Sequence, residues 1–293
     1  MTADSLTDAL PRTVARQARG AFHSVWDATM LFVDDQGLSW AGAIGLYLFL
    51  SVPPFMVAVT WMAGAFVGNS GAESFVVEQV SKYLPAEQKL LQGVVGSAPG
   101  NGAAALASVL LLLFSGSRAF AAMTSAVNVL WRRVDELTFV RRQALRIGML
   151  MVTVVLLALA AMGEALVRAI AGATTGGDGM WLLDWQILPS VLLATFLLIA
   201  YKLLPREPVS WWHAAIGAIG ATVGIRLAQA GLGVLAQAGT FRTPYGDLAG
   251  VALIATWALV VGVIVLWCAA LVAALDGKRP GDGERETRFS RAE

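Results

Sequence analysis

The chain has 293 residues, of which 57% are hydrophobic and only 14% charged, and its mean hydropathy is +0.67. Soluble domains carry about 25% charged residues, so this composition excludes an ordinary water-soluble domain and implies an integral membrane protein. The formal net charge of +1 says little about partners; where the charges fall says more.

Residues 1–10 are polar and read as a disordered tail with no cleavable signal. Residues 11–40 read as an amphipathic helix with Ala18, Phe22, Val25, Trp26 and Val33 near one face and Arg12, Arg16 and Arg19 early in it. Two placements fit: lying in the interface of an anionic leaflet, or packed on the end of a helix bundle. Residues 41–275 then read as a membrane domain of six spans, at about 41–66, 103–131, 144–170, 185–204, 212–238 and 248–275. The first contains Ser51, Pro53 and Pro54. Prolines remove helix hydrogen bonds, so a kink is expected there, with carbonyls near Tyr47–Leu50 seeking partners from another span.

Residues 73–97 are too polar to span and read as short amphipathic helices at the far surface, one with Phe75, Val76, Val80 and Leu84, another with Leu90, Leu91, Val94 and Val95. Ala103–Trp131 is long and apolar enough to cross a bilayer, which needs about 20 such residues. It carries Arg118 near its middle, beside Ser115, Gly116 and Ser117. An arginine at that depth costs about 2.5–3.5 kcal/mol or more unless something receives it. It is either structural, bonded to backbone carbonyls or one acid, or it lines a polar cavity. In the third span, Glu164 precedes Arg168 by four residues, the favourable order for a helical pair. The fourth ends in a corner with Lys202, Arg206, two prolines and Trp211–Trp212, and tryptophan prefers interfacial depth. The fifth holds Gly220 and Gly224 as a close-packing GxxxG, with Arg226 near its middle. The tail from residue 276 to 293 is charged and reads as disordered.

Lysine and arginine set orientation. They concentrate in the N-terminal segment, the loop at Arg132–Arg146, the corner at Lys202–Arg206 and the C-terminal tail. The opposite side holds Lys82, Lys89 and Arg242. Both termini are therefore expected in the cytoplasm. Cys268 is alone in an apolar run, so there is no disulfide framework, and His23 and His213 lie too far apart for a metal-ligand spacing. No metal and no cofactor are expected. The acid pairs Asp34–Asp35 and Asp135–Glu136 read as solvated loops, which argues against metal-dependent phosphodiester hydrolysis and against an enzyme.

Several stretches, in this order and spacing, resemble the YihY/BrkB membrane proteins, once labelled ribonuclease BN. They are LFLSVPPF in the first span, Ser117, Arg118, Asn128 and Trp131 in the second, and Tyr201 and Pro205 with Trp211 or Trp212. Gly217, Ala218, Tyr245-Gly246 and Trp257 complete the set. The resemblance covers about residues 20–275. The chain departs from it where many members have Gly-Ala-Glu, here Cys268, Ala269 and Ala270, and where many have a tyrosine, here Val234. A membrane carboxylate is thereby missing. The resemblance implies a bacterial inner-membrane protein tied to envelope integrity, serum resistance and movement of lipid or solute.

The expectation is thus an all-α polytopic membrane protein: six transmembrane helices, an N-terminal interfacial helix and short amphipathic periplasmic helices. Arg118 and Arg226 both fall near mid-depth. They are expected to converge on one cavity with Ser51, Ser115, Asn128 or Gln229, Glu164 being the acid within reach. Such a cavity would favour an anionic lipid or a small anion. The alternative is a structural, envelope-maintaining protein with no cavity, and the ribonuclease label finds least support. The lipid bilayer is the expected partner, nucleic acid is not, and no oligomeric state is implied.

Overall fold

The computed structural model describes residues 12–67, 88–96, 102–131, 187–205 and 207–278, with scattered positions between 74 and 81 and between 144 and 156. Among the described residues all regular structure is helical. In chain order the elements are α1 (Arg12–Asp34), α2 (Gly37–Val67), α3 (Gln88–Gly96), α4 (Gly102–Leu130), α5 (Ile187–Leu203), α6 (Trp211–Gln237), α7 (Arg242–Tyr245), a 3₁₀ turn at Gly246–Leu248, and α8 (Ala249–Leu275). Helices α2, α4, α6 and α8 are long and apolar enough to cross a membrane, and α5 is a shorter apolar helix. The expected span at 144–170 and the Glu164–Arg168 pair fall largely or wholly outside the described residues.

Helix α8 is the hub. It packs against α1, α2, α4 and α6, while α2 also packs on α4 and α5 on α6. The reason lies in its sequence, which is apolar on every side and small at the contacts. Gly262 lets α2 approach: a Cβ there would stand 2.6 Å from the Ala41 carbonyl oxygen. Reciprocally, a Cβ at Gly45 would stand 2.9 Å from Leu259 Cα. Ala41 and Gly45 on one helix thus meet Ala258 and Gly262 on the other, each pair four residues apart. Small residues at this spacing bring backbones together where lipid supplies no hydrophobic drive for association.

The seam between α6 and α8 works in the same way. The expected glycine face is there: Gly224 abuts Ile264 and Gly220 lies at ordinary contact distance from Cys268 Sγ. The tightest point is one turn earlier, at Gly217, where a Cβ would stand 2.3 Å from Val272 Cγ2.

Helix α1 is docked on the bundle. Ala28 and Leu31 are fully buried, and Trp267 Nε1 donates to Thr29 Oγ1 at 3.3 Å. Val25, Trp26 and Val33 remain exposed on its other face. Gln36, at φ 56°, turns the chain into α2, and Gly37 follows because a Cβ there would meet the Phe32 ring at 2.4 Å.

Pro53 and Pro54 lie inside one helix, α2, which runs from Gly37 to Val67. Membrane helices tolerate such prolines where neighbours and hydroxyl side chains support the freed backbone. The local hydroxyl, Ser51 Oγ, donates instead to the Leu48 carbonyl at 2.7 Å, outside the pair that the prolines release.

Candidate functional site

Arg118 sits at the centre of its span. The apolar stretch of α4 runs from Leu106 to Leu130, leaving twelve residues on either side, about 18 Å of helix each way. The side chain is exposed. Its guanidinium lies over the Phe114 ring, 5.7 Å from the centroid, one turn back on the same helix. That is within cation–π range, an interaction worth about 0.5–1 kcal/mol at exposed sites. It offsets only part of the insertion cost. The exposed face around it carries Leu110, Leu113 and Phe114 towards one end of α4 and Ser125 towards the other.

Arg226 is placed differently. It is half-buried on α6, its Nε donating to Ser190 Oγ on α5 at 3.0 Å and its Nη1 to Gln229 Oε1 at 3.2 Å. It therefore ties α6 to α5, and Ser190 is the residue that sequence reasoning missed. A lone serine near the start of an apolar helix was the available signal.

The remaining expected site residues are held locally. Ser115 is buried and donates to the Leu111 carbonyl at 2.9 Å on its own helix. Asn128 Nδ2 donates to Thr124 O at 2.7 Å and across to Leu204 O at 3.3 Å, while its buried Oδ1 has no partner among the described residues. Of the expected constellation, the described contacts join Arg226 with Gln229. They join neither to Arg118, Ser51, Ser115 or Asn128, because α4 packs chiefly on α2 whereas α6 packs on α5 and α8. Arg118 is exposed, whereas Arg226 is half-buried.

A second polar group closes one end of the bundle. Tyr201, fully buried, donates its hydroxyl to the Val265 carbonyl on α8 at 2.8 Å. Beyond it, Lys202 donates to the Val209 carbonyl and stands 5.0 Å from the Trp211 ring centroid. His213 Nδ1 and Asp276 Oδ1 lie 2.7 Å apart, and Lys278 Nζ is 2.7 Å from Glu207 Oε2. These contacts fix the α5–α6 corner to the end of α8. Among the described residues no group of three or more His, Cys, Asp or Glu side chains could hold a metal ion.

Comparison with known proteins places these features in a family. A UPF0761 membrane protein of Tolumonas auensis is 34% identical over 91 residues, 31% of this chain and 30% of its own length. One of Rhodospirillum centenum is 25% identical over 284 residues, 96% of this chain and 63% of its own length. One of Vibrio vulnificus is 25% identical over 269 residues, 84% of this chain and 78% of its own. The chain thus spans less than two thirds of the length of the first two relatives. No solved structure matches it. The family described as Virulence factor BrkB matches residues 30–292, a stretch that takes in α2 through α8, and the chain belongs to that family of membrane proteins.

Proposed function

We propose that this protein moves an anionic lipid or a small anion across the bacterial inner membrane, with Arg118 as the point that receives the negative charge. In this reading residues 41–275 form six spans and both termini face the cytoplasm, as the lysine and arginine asymmetry favours. The observation that supports it is the exposure of Arg118 at the midpoint of a spanning helix. Facing acyl chains, that guanidinium would cost about 2.5–3.5 kcal/mol or more. A hydrated path or a phosphate on that face removes the cost. Arg226, tied to Ser190 and Gln229, acts as a positioning residue for α5 against α6.

The alternative is a structural role in the envelope without movement of substrate, favoured by the glycine-mediated seams of α8. Reconstitution separates the two. The full chain in phosphatidylcholine–phosphatidylglycerol vesicles should speed transbilayer movement of fluorescent phosphatidylglycerol or efflux of chloride. Arg118→Ala should lower that rate at least tenfold at equal reconstituted amount, with Arg118→Lys retaining part. Wild-type rates in Arg118→Ala would overturn the role of Arg118, and movement of neither probe by the wild type would favour the structural alternative.

A further inference from the structure

The two prolines of α2 release two carbonyl oxygens. An α-helical carbonyl accepts from the N–H four residues on, so Pro53 leaves Phe49 O and Pro54 leaves Leu50 O without that donor. Ser51, the nearby hydroxyl, is committed to Leu48. No side chain among the described residues donates to either carbonyl.

Across the seam stands the opposite deficiency. The Trp257 indole Nε1 is buried and has no hydrogen-bond partner among the described residues. The register of α2 against α8 brings the two together. Ala41 meets Gly262 and Gly45 meets Ala258–Leu259, so the helices are antiparallel. One further turn along α2 puts Phe49 and Leu50 opposite about Ile254. Helical side chains lean towards the N-terminus of their own helix, which carries the Trp257 ring from its own level to that of Ile254. The packing agrees: Phe49, Val52 and Trp257 lie against one cluster, built of Met56, Val76, Val77, Leu91, Val95 and Ile254. A donor lacking an acceptor among the described residues and two carbonyls deprived of their α-helical donors thus share one level of the seam, Phe49 and Trp257 lying beside the cluster around Ile254.

We infer that the Trp257 indole N–H and the carbonyls of Phe49 and Leu50 form a binding site for one hydroxyl group. A hydroxyl is the smallest group that accepts from an indole N–H and donates to a carbonyl at once. Buried groups in such a setting are satisfied by a bridging hydroxyl with two to four polar partners. Internal water and the hydroxyl of a small alcohol share this chemistry. The inference does not depend on transport.

The test uses the full chain in lipid nanodiscs with ¹⁵N-labelled indoles. The Trp257 resonance is the one lost in Trp257→Phe. If water is the guest, that indole proton shows a nuclear Overhauser cross-peak to water. If an alcohol is accepted, titrating 1-butanol shifts that resonance saturably, while Trp267, bonded to Thr29, does not shift. Replacing both prolines, Pro53→Ala with Pro54→Ala, returns donors to Phe49 and Leu50 and should abolish either signal while keeping the Trp257 resonance. Absence of both signals in the wild type overturns the site. So does their persistence in the double variant, since the carbonyls would then take no part.

Discussion

Replacing Gly262 by alanine adds one methyl group at the closest point of the α2–α8 seam. That carbon would stand 2.6 Å from Ala41 O and 3.3 Å from Ala41 C and Cα. Ordinary contact begins near 3.4 Å, so the helices must part by about 0.8 Å. All three clashing atoms are backbone, and no rotamer change relieves them. Overpacking of this kind costs about 1–3 kcal/mol, and the rigid neighbour places this site at the upper end. Alanine regains about 1 kcal/mol of helix propensity over glycine. The expected net destabilisation is therefore about 1–2 kcal/mol. Gly231 on α6 supplies the control, since a Cβ there meets nothing within 4 Å. Gly231→Ala should be neutral or stabilising by up to about 1 kcal/mol. Thermal unfolding of the purified variants in one detergent gives the comparison. Gly45→Ala should resemble Gly262→Ala, and the double variant should lose less than the sum because one separation relieves both clashes. If Gly262→Ala unfolds with Gly231→Ala rather than well below it, the seam is not held by glycine.

Tyr201→Phe removes the hydroxyl that donates to Val265 O and keeps the ring, so it should cost about 0.5–1.5 kcal/mol in thermal unfolding without slowing the proposed transport. Lys278→Gln breaks a partly exposed ion pair with Glu207 and should change stability by no more than about 1 kcal/mol, an effect that fades as salt is raised. Gly217→Leu, aimed at Val272 and the Tyr201 ring, should lower folded yield far more than Gly233→Leu on the open side of α6.

The positions of the long helices are legible because a bilayer demands long apolar runs, and such runs are visible in any hydropathy profile. The run expected at 103–131 lies within one residue of α4 at either end, and the GxxxG of α6 does face a neighbour. Which way Arg118 turns is not legible. A helix that is apolar all round gives no stripe to show which face meets protein and which does not. The same uniformity hid the α2–α8 seam, although Ala41 with Gly45 and Ala258 with Gly262 carried the small-residue spacing. Pro53 and Pro54, where a kink is expected, do not end their helix. Proline removes a hydrogen bond wherever it falls, but whether the helix breaks depends on what packs around it. Here α2 is clamped between α4 and α8. Ser190 escaped notice because a single hydroxyl in an apolar helix has its meaning set by a partner on another helix, 36 residues away.

The central claim is that the exposed face of Arg118 fronts water or a headgroup rather than acyl chains. A thiol at that position tests it directly. In a Cys268→Ala background, which removes the buried native cysteine, Arg118→Cys is treated in sealed vesicles with a membrane-impermeant, anionic methanethiosulfonate. The account predicts modification at a rate within about tenfold of a thiol placed in the exposed corner at Ser210, and slowing by added phosphatidylglycerol headgroup analogue. A thiol at 118 that stays unmodified while the one at 210 reacts to completion would mean that the α4 face is closed to water, and would contradict the account.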